Sequence, residues 1–198
     1  MTTDQRRMPL VPALQVLAHW RTDEIVVTTM GSAREWPKLS SHALDFQYIP
    51  SAMGHAPALA LGLALARPDR QILAFNGDGC MLMSLGSLVT IAAGGATNLS
   101  LVVLNNGIYE VTGGQATAAA GVPTDFAALA RAAGFGSVAA FDDLGEWQHG
   151  AATALALPGP RFVSLAVEPV GAEYQLPTPP PMAERIARFR EALGGTKP

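Results

Sequence analysis

The sequence predicts an α/β fold, a doubly wound, mostly parallel sheet with helices on both faces. Three observations predict it. Short, continuously apolar runs alternate with longer helical segments, the pattern of strands covered on both sides. The composition is 49% apolar and 15% charged over 198 residues, enough to bury a sizeable core in one domain. Alanine and glycine are abundant, which lets helices sit close on a sheet. Crossovers in such a sheet are right-handed.

Each element has its own signal. The N-terminus reads MTTDQRRMPLVPALQVLAHW. Its Arg pair precedes an apolar stretch, but Pro9, Pro12, Gln15 and His19 interrupt it and no small-residue cleavage site follows. It predicts an amphipathic helix rather than a signal peptide. Glu24–Met30 is short and β-branched, hence a strand. Ala56–Ala66 is unbranched and predicts a helix ended by Arg67-Pro68-Asp69. Gln71–Asn76 predicts a buried strand that runs into Gly77-Asp78-Gly79. Cys80–Ala93 predicts one helix stopped by Gly94-Gly95. Leu99–Leu104 predicts a second buried strand. Asn105–Pro123 shows no clear element, and a stretch that long in a compact domain is functional or disordered. Thr124–Ala133 predicts a helix capped by Thr124 or Asp125. Ser137–Phe141 is a strand, Leu144–Leu157 a helix and Arg161–Val167 a strand. A Pro-rich bridge, Pro177–Pro181, leads to a last helix, Met182–Leu193. The expected organisation is one domain over residues 1–198 with its core at about 22–170.

Composition excludes several roles. Thirteen basic residues against 16 acidic give a net charge of -3, and no Lys/Arg run exceeds two residues, so no nucleic-acid partner is expected. The most apolar run, Ala52–Ala66, contains Gly54, His55, Pro57 and Gly62 and is too short to span a bilayer, so no membrane partner is expected. Cys80 is the one cysteine; no internal disulfide and no structural zinc site can form. That fits a reducing cytoplasm.

In this fold class ligands bind beyond the C-terminal strand ends, where both Gly77-Asp78-Gly79 and Asn105-Asn106 fall. Two glycines permit a tight turn and close approach of a ligand. The helix that follows offers free N–H groups to phosphate. Asp78 would repel phosphate unless a cation lay between them, which suggests Mg²⁺ with oxygen ligands. An Asn amide oxygen from the next strand end could add a ligand, and Gly107 lets the chain turn to offer a carbonyl. Taken alone, Gly77-Asp78-Gly79 reads equally as a plain tight turn. A dinucleotide fingerprint fails because its third glycine position is Leu82. No phosphate-binding P-loop and no G-x-S-x-G elbow occurs.

GDG, then 25 residues, then NN resembles the signature of the thiamine-diphosphate-dependent enzymes. Ser51-Ala52-Met53-Gly54-His55-Ala56 and LALGLALARPDRQILAFNGDG are similar to the family's approach to GDG. Thr28-Thr29, Ser32-Ala33-Arg34-Glu35 and Gly113-Gly114-Gln115 resemble the phosphonopyruvate decarboxylases and the β subunit of the sulfopyruvate decarboxylases. The resemblance covers about residues 22–170 and implies the thiamine-diphosphate-binding fold. It implies thiamine diphosphate and Mg²⁺ as cofactors, with Asp78, Asn106 and the Ile108 carbonyl as metal ligands. Gly77, Gly79, the Cys80 backbone and Tyr109 would adjoin the cofactor, and Gly31 and Ser32 would lie near its diphosphate. Met53 would be the apolar wedge that bends the cofactor, beside Ala52, and the Ser51 carbonyl would accept from the cofactor's amino group. Relatives often have Ser at position 80 and glycine at 51, so Cys80 forfeits a hydroxyl and Ser51 changes the backbone's freedom.

The implied activity is a lyase: non-oxidative decarboxylation of a small anionic 2-oxo acid such as sulfopyruvate or phosphonopyruvate. The alternatives are an acetolactate-synthase-like carboligase subunit and a non-catalytic cofactor-binding module. The family's activating glutamate comes from a pyrimidine-binding domain, and none of the eight glutamates here matches that site. A separate α-type subunit is therefore expected, in an α2β2 assembly.

Other residues keep two readings. His55 could act catalytically on a substrate carboxylate or proton, or cap the following helix. Met81 and Met83 read as helix packing. His19, His42 and His149 read as surface residues, and Arg185, Arg188 and Arg190 as a solvated face. Arg34 could meet an anionic substrate or form a salt bridge. Glu110, Thr112 and Gln115 could line the site or lie in a solvated loop.

Overall fold

The apolar runs become strands and the unbranched runs become helices. The computed structural model describes residues 6–49, 53–170 and 178–194. The chain runs α1 (Leu10–Trp20), β1 (Ile25–Thr28), α2 (Met30–Leu39), β2 (Asp45–Gln47), α3 (Ala56–Ala66) and β3 (Ile72–Gly77). It continues with α4 (Asp78–Met83), α5 (Ser87–Gly94), β4 (Leu99–Asn105) and a hairpin of β5 (Ile108–Tyr109) and β6 (Gln115–Ala116). Then follow α6 (Phe126–Ala132), β7 (Ser137–Phe141), α7 (Leu144–Ala156), β8 (Arg161–Ala166) and α8 (Met182–Ala192).

Six strands form one sheet in the order β2-β1-β3-β4-β8-β7, and every pairing in it is parallel. Side chains alternate across the sheet. Ile25, Val27, Ile72, Ala74, Leu101, Val103 and Phe162 face α3, α5 and α6. Val26, Leu73, Phe75, Val102, Leu104, Val163 and Leu165 face α1, α2 and α7. Trp147 of α7 donates from Nε1 to the Ala13 carbonyl at 3.0 Å, joining α7 to α1. Asn98, buried before β4, spreads one amide nitrogen over the carbonyls of Ala64, Arg67 and Arg70, at 3.1, 2.9 and 2.7 Å. It thereby closes the end of α3.

The chain leaves β1 toward β2 on one side and β3 toward β4 on the other. The C-terminal ends of β1 and β3 are therefore the topological switch point, where a crevice opens.

Several expectations change. α2 and β2 were not foreseen. α2 carries Gly31 and an internal Pro37, which mask its pattern. It holds because Ser32 Oγ accepts the Thr29 N–H at 3.2 Å and Trp36 packs on Phe75, centroids 5.0 Å apart. β2 is three residues long, below any periodicity. Met30 leaves the expected strand and begins α2. The single helix expected over Cys80–Ala93 is two helices. Ser84 leaves helical geometry (φ -140°, ψ 44°) and donates its hydroxyl to the Gly54 carbonyl at 2.5 Å. Asn105–Pro123 is ordered by the β5–β6 hairpin and two 3₁₀ turns, Glu110–Thr112 and Ala118–Gly121.

Met81 is buried as expected, but Met83 is 48% exposed, because α4 ends there and turns it outward. Arg185 is not on a solvated face. It donates to the carbonyls of Gln47, Ile49 and Pro180, and burial lowers its pKa. With Phe189 against Phe46, centroids 4.9 Å apart, it docks α8 on β2. Arg188 stays exposed. Asp125 is the cap of α6, accepting from the Ala128 N–H at 2.9 Å. His19, His42 and His149 are exposed. Among the described residues no helix is long and apolar enough to cross a membrane.

Candidate functional site

A cleft partly open to solvent lies at the switch point. Its walls come from the start of α2, the β3–α4 turn, the end of β4 and the β5 hairpin. Gly31 and Ser32, Met53, Gly77 through Cys80, and Asn106, Ile108 and Tyr109 all line it. Ser51 and Ala52, like Pro177 of the bridge, lie outside the described residues.

Asp78 is the centre of the site. It is 1% exposed, and burial pushes its carboxyl pKa up against hydrogen bonds from Thr117 and the backbone of Gly79, Gly107 and Asn106. Its Oδ2 accepts the Thr117 hydroxyl at 3.1 Å and the Gly107 N–H at 3.2 Å. A charged carboxylate held dry costs free energy unless a cation or donors compensate it.

The neighbouring glycines Gly77 and Gly54 differ in their surroundings. At Gly77 an added Cβ would meet nothing within 4 Å, so the turn leaves open space. Gly54 has φ +88°, and a Cβ there would fall 2.9 Å from the Cys80 carbonyl. Backbone thus packs on backbone, which fixes Met53 beside the turn. Met53 is 38% exposed and belongs to neither core layer. Met30, also on the wall, has φ +49°, a left-handed conformation uncommon for a side-chain-bearing residue and found more often at functional sites.

Ile108 donates its N–H to Asn106 Oδ1 at 3.0 Å. The carbonyls on either side of Ile108, those of Gly107 and Tyr109, accept from Thr117 and Gly114 at 2.9 Å. Successive carbonyls of a strand point to opposite edges, so the Ile108 carbonyl is directed away from β6.

Some expected residues sit otherwise than their side chains suggested. Ser32 Oγ donates back to the Thr29 carbonyl at 2.7 Å, so its hydroxyl is turned from the cleft. Cys80 is buried, and burial raises its thiol pKa. His55 is exposed at the start of α3, makes no capping bond, and is not on the cleft wall. Arg34 is paired with Glu35 on α2, away from the cleft. Glu110 and Thr112 line the cleft, while Gln115 is exposed.

Thr117 and Arg7 were missed. Thr117 reaches Asp78 only through the hairpin. Arg7 donates from Nη1 to the Asn106 carbonyl at 2.5 Å, and a Cβ on Gly107 would fall 2.7 Å from its Nη2. No local motif announces either contact.

Away from the cleft wall, α3 and α5 expose large apolar side chains. Leu65 is 58% and Val89 57% exposed, and neither helix contains a charged residue. A helix apolar all round is normally buried.

The thiamine pyrophosphate enzyme, C-terminal TPP-binding domain family matches residues 25–165. The chain is 40% identical over 185 residues to a phosphonopyruvate decarboxylase from Streptomyces viridochromogenes, covering 93% of this chain and 45% of that protein. It is 36% identical over 189 residues to a sulfopyruvate decarboxylase subunit beta from Methanothermobacter thermautotrophicus, covering 94% of this chain and 97% of that one. An X-ray structure from Mycobacterium smegmatis, assigned as a thiamin diphosphate-dependent enzyme, superposes with a TM-score of 0.66 at 22% identity. That match covers 82% of this chain and 32% of the other, and it speaks to the α/β fold.

Proposed function

The chain belongs to the thiamine pyrophosphate enzymes, as their C-terminal TPP-binding domain, and from that premise we propose that it is the diphosphate- and Mg²⁺-holding subunit of a non-oxidative 2-oxo acid decarboxylase. The substrate is a sulfopyruvate- or phosphonopyruvate-like anion. A separate pyrimidine-domain subunit completes a cytoplasmic α2β2 lyase and supplies the activating glutamate.

The observation that carries this reading is the dry Asp78 carboxylate at the switch point. The residues fit the cofactor. Asp78 Oδ, Asn106 Oδ1 and the Ile108 carbonyl are hard oxygen donors suited to Mg²⁺. Among the described residues no three His, Cys, Asp or Glu side chains converge. A cation here therefore draws its remaining ligands from phosphate or water.

Asp78, Asn106 and Ile108 would hold the metal. The backbone of Gly31, Ser32, Gly77, Gly79 and Cys80 would face the diphosphate. Thr117 and the Gly107 N–H keep Asp78 in place. Tyr109 closes over the glycine turn, and Met53 offers the exposed apolar surface a bent cofactor leans on. When bound, thiamine diphosphate supplies the electron sink on which a 2-oxo acid loses CO₂.

Two observations support a partner. α3 and α5 carry no charged residue, and Leu65 and Val89 stand exposed on them, an apolar surface that a covering chain would bury. Among the described glutamates, Glu110 is on the cleft wall, and both its oxygens are engaged by Asn106 and Val170.

The test is co-purification followed by assay. A pyrimidine-domain chain should co-purify, and CO₂ release from a panel of 2-oxo acids should require both chains, Mg²⁺ and thiamine diphosphate. Recovery of this chain alone, with no release from any substrate, overturns the reading in favour of a binding module. Condensation with an added aldehyde in place of aldehyde release would make it a carboligase subunit.

A further inference from the structure

We propose that Glu110 is a positioning residue for Asn106, fixing which way the Asn106 carboxamide turns so that its oxygen is the atom offered to the cation. The inference rests on the reading of the cleft as a Mg²⁺-diphosphate site and names a component that reading does not require.

A carboxamide has an acceptor at one end and donors at the other, and a rotation of χ2 exchanges them. Asn106 is held against that exchange at both ends. Its Nδ2 donates to Glu110 Oε2 at 3.0 Å, and its Oδ1 accepts the Ile108 N–H at 3.0 Å. Its backbone carbonyl is held as well, by Arg7 Nη1 at 2.5 Å. If the amide turned over, its oxygen would face the Glu110 carboxylate and its NH₂ would face the Ile108 N–H. Both contacts would be repulsive.

Glu110 is itself anchored. Its Oε1 accepts the Val170 N–H, and a Cβ on Gly31 would lie 3.4 Å from Oε2. The carboxylate thus ties the end of β4 to the segment after β8 and lies close to the start of α2. A carboxylate in the wall of a cleft that takes a diphosphate works against anion binding by like charge. Its two accepted hydrogen bonds account for its presence. A carboxylate suits this place because it accepts at both oxygens; a glutamine would set an NH₂ against either the Val170 N–H or the Asn106 NH₂.

The test is Glu110→Gln, which keeps size and shape. Mg²⁺ is titrated by calorimetry into the chain with thiamine diphosphate present in solution, and melting is recorded in EDTA. Groups that orient a metal ligand typically change metal affinity 10- to 100-fold, so the Mg²⁺ Kd should rise roughly 10- to 100-fold, with melting in EDTA near that of the wild type. The double variant with Asn106→Ala should bind Mg²⁺ no more weakly than Asn106→Ala alone, because the two residues act as one unit. If the single variant also melts lower, this double variant decides: additive losses overturn the proposal and non-additive losses support it. Equal Mg²⁺ affinity in Glu110→Gln and wild type overturns the role of Glu110 alone. Failure of the wild type to bind Mg²⁺ with thiamine diphosphate overturns the Mg²⁺-diphosphate reading itself, and the role of Glu110 with it.

Discussion

Gly79 lies against the ring of Tyr109, so close that a Cβ on Gly79 would fall 2.6 Å from the ring's Cδ1. Thr117 Cγ2 lies 3.3 Å from the same point, so two side chains crowd it. Gly79→Ala should therefore push the β5 hairpin off the turn. Overpacking of this kind costs about 1–3 kcal/mol. Thermal melting should show that loss, and thiamine-diphosphate affinity should fall with it. A variant that melts and binds like the wild type would mean the hairpin moves freely.

Asp78→Asn should separate binding from stability. The folded chain disfavours the charged carboxylate through burial, so a neutral side chain of the same shape relieves that cost. Melting in EDTA at neutral pH should be equal to or above that of the wild type, while Mg²⁺-dependent cofactor binding is lost. Calorimetry and melting on the same sample check both halves. Unchanged binding would remove Asp78 from the metal site.

Met53→Ala should reduce turnover more than cofactor affinity. Met53 is 38% exposed, so truncation leaves no core cavity, and a stability change within about 0.5 kcal/mol is expected for such a surface site. A large fall in melting temperature would mark Met53 as a packing residue instead. Normal turnover would remove it from the catalytic geometry.

Asn98→Ala tests the closure of α3. Its amide serves three carbonyls, and leaving buried acceptors unpaired costs about 1–3 kcal/mol for each group that water does not reach. Denaturant unfolding should show a loss of at least about 1 kcal/mol.

Glu35 should confer a pH-dependent advantage. Burial alone would raise its carboxyl pKa, but Lys38 and Arg34 hold it below the ordinary 4.5. A depressed carboxyl stabilises the fold above the unfolded-state value and ceases to do so as pH falls through the lower folded-state value. The stability difference between wild type and Glu35→Gln should therefore be present at neutral pH and shrink as pH falls below about 4.5. Urea unfolding of both proteins at pH 7 and pH 3.5 measures it. A difference independent of pH would mean Glu35 acts by packing.

The legible parts of the fold carry their information in consecutive residues. Ala56–Ala66 was bounded correctly because it has no competing charge and ends in Arg67-Pro68-Asp69. Gln71–Asn76 was visible because both of its faces are buried. The turn at Gly77-Asp78-Gly79 and the pair Asn105-Asn106 were visible because each sets its residue types side by side at the end of a buried strand. What escaped depends on distant partners. α2 is held by the Thr29 hydroxyl on the Phe75 carbonyl and by Trp36 on Phe75, and the break at Ser84 by the Gly54 carbonyl. Thr117 and Arg7 come to Asp78 and Asn106 from a hairpin and from the N-terminal segment.

The last strand of the sheet to be synthesised does not lie at its edge. β8 stands between β4 and β7, so β7 leaves the ribosome before the strand that will hold it. α7, which follows β7, must wait too before Trp147 can settle against Ala13. Until Arg161–Ala166 arrives, the outer edge of β4 is open, and an open edge is a template for pairing with another chain. At a synthesis rate of about 5–20 residues per second, that edge is exposed for seconds on every nascent chain. β8 then pairs with β4 on one side and β7 on the other.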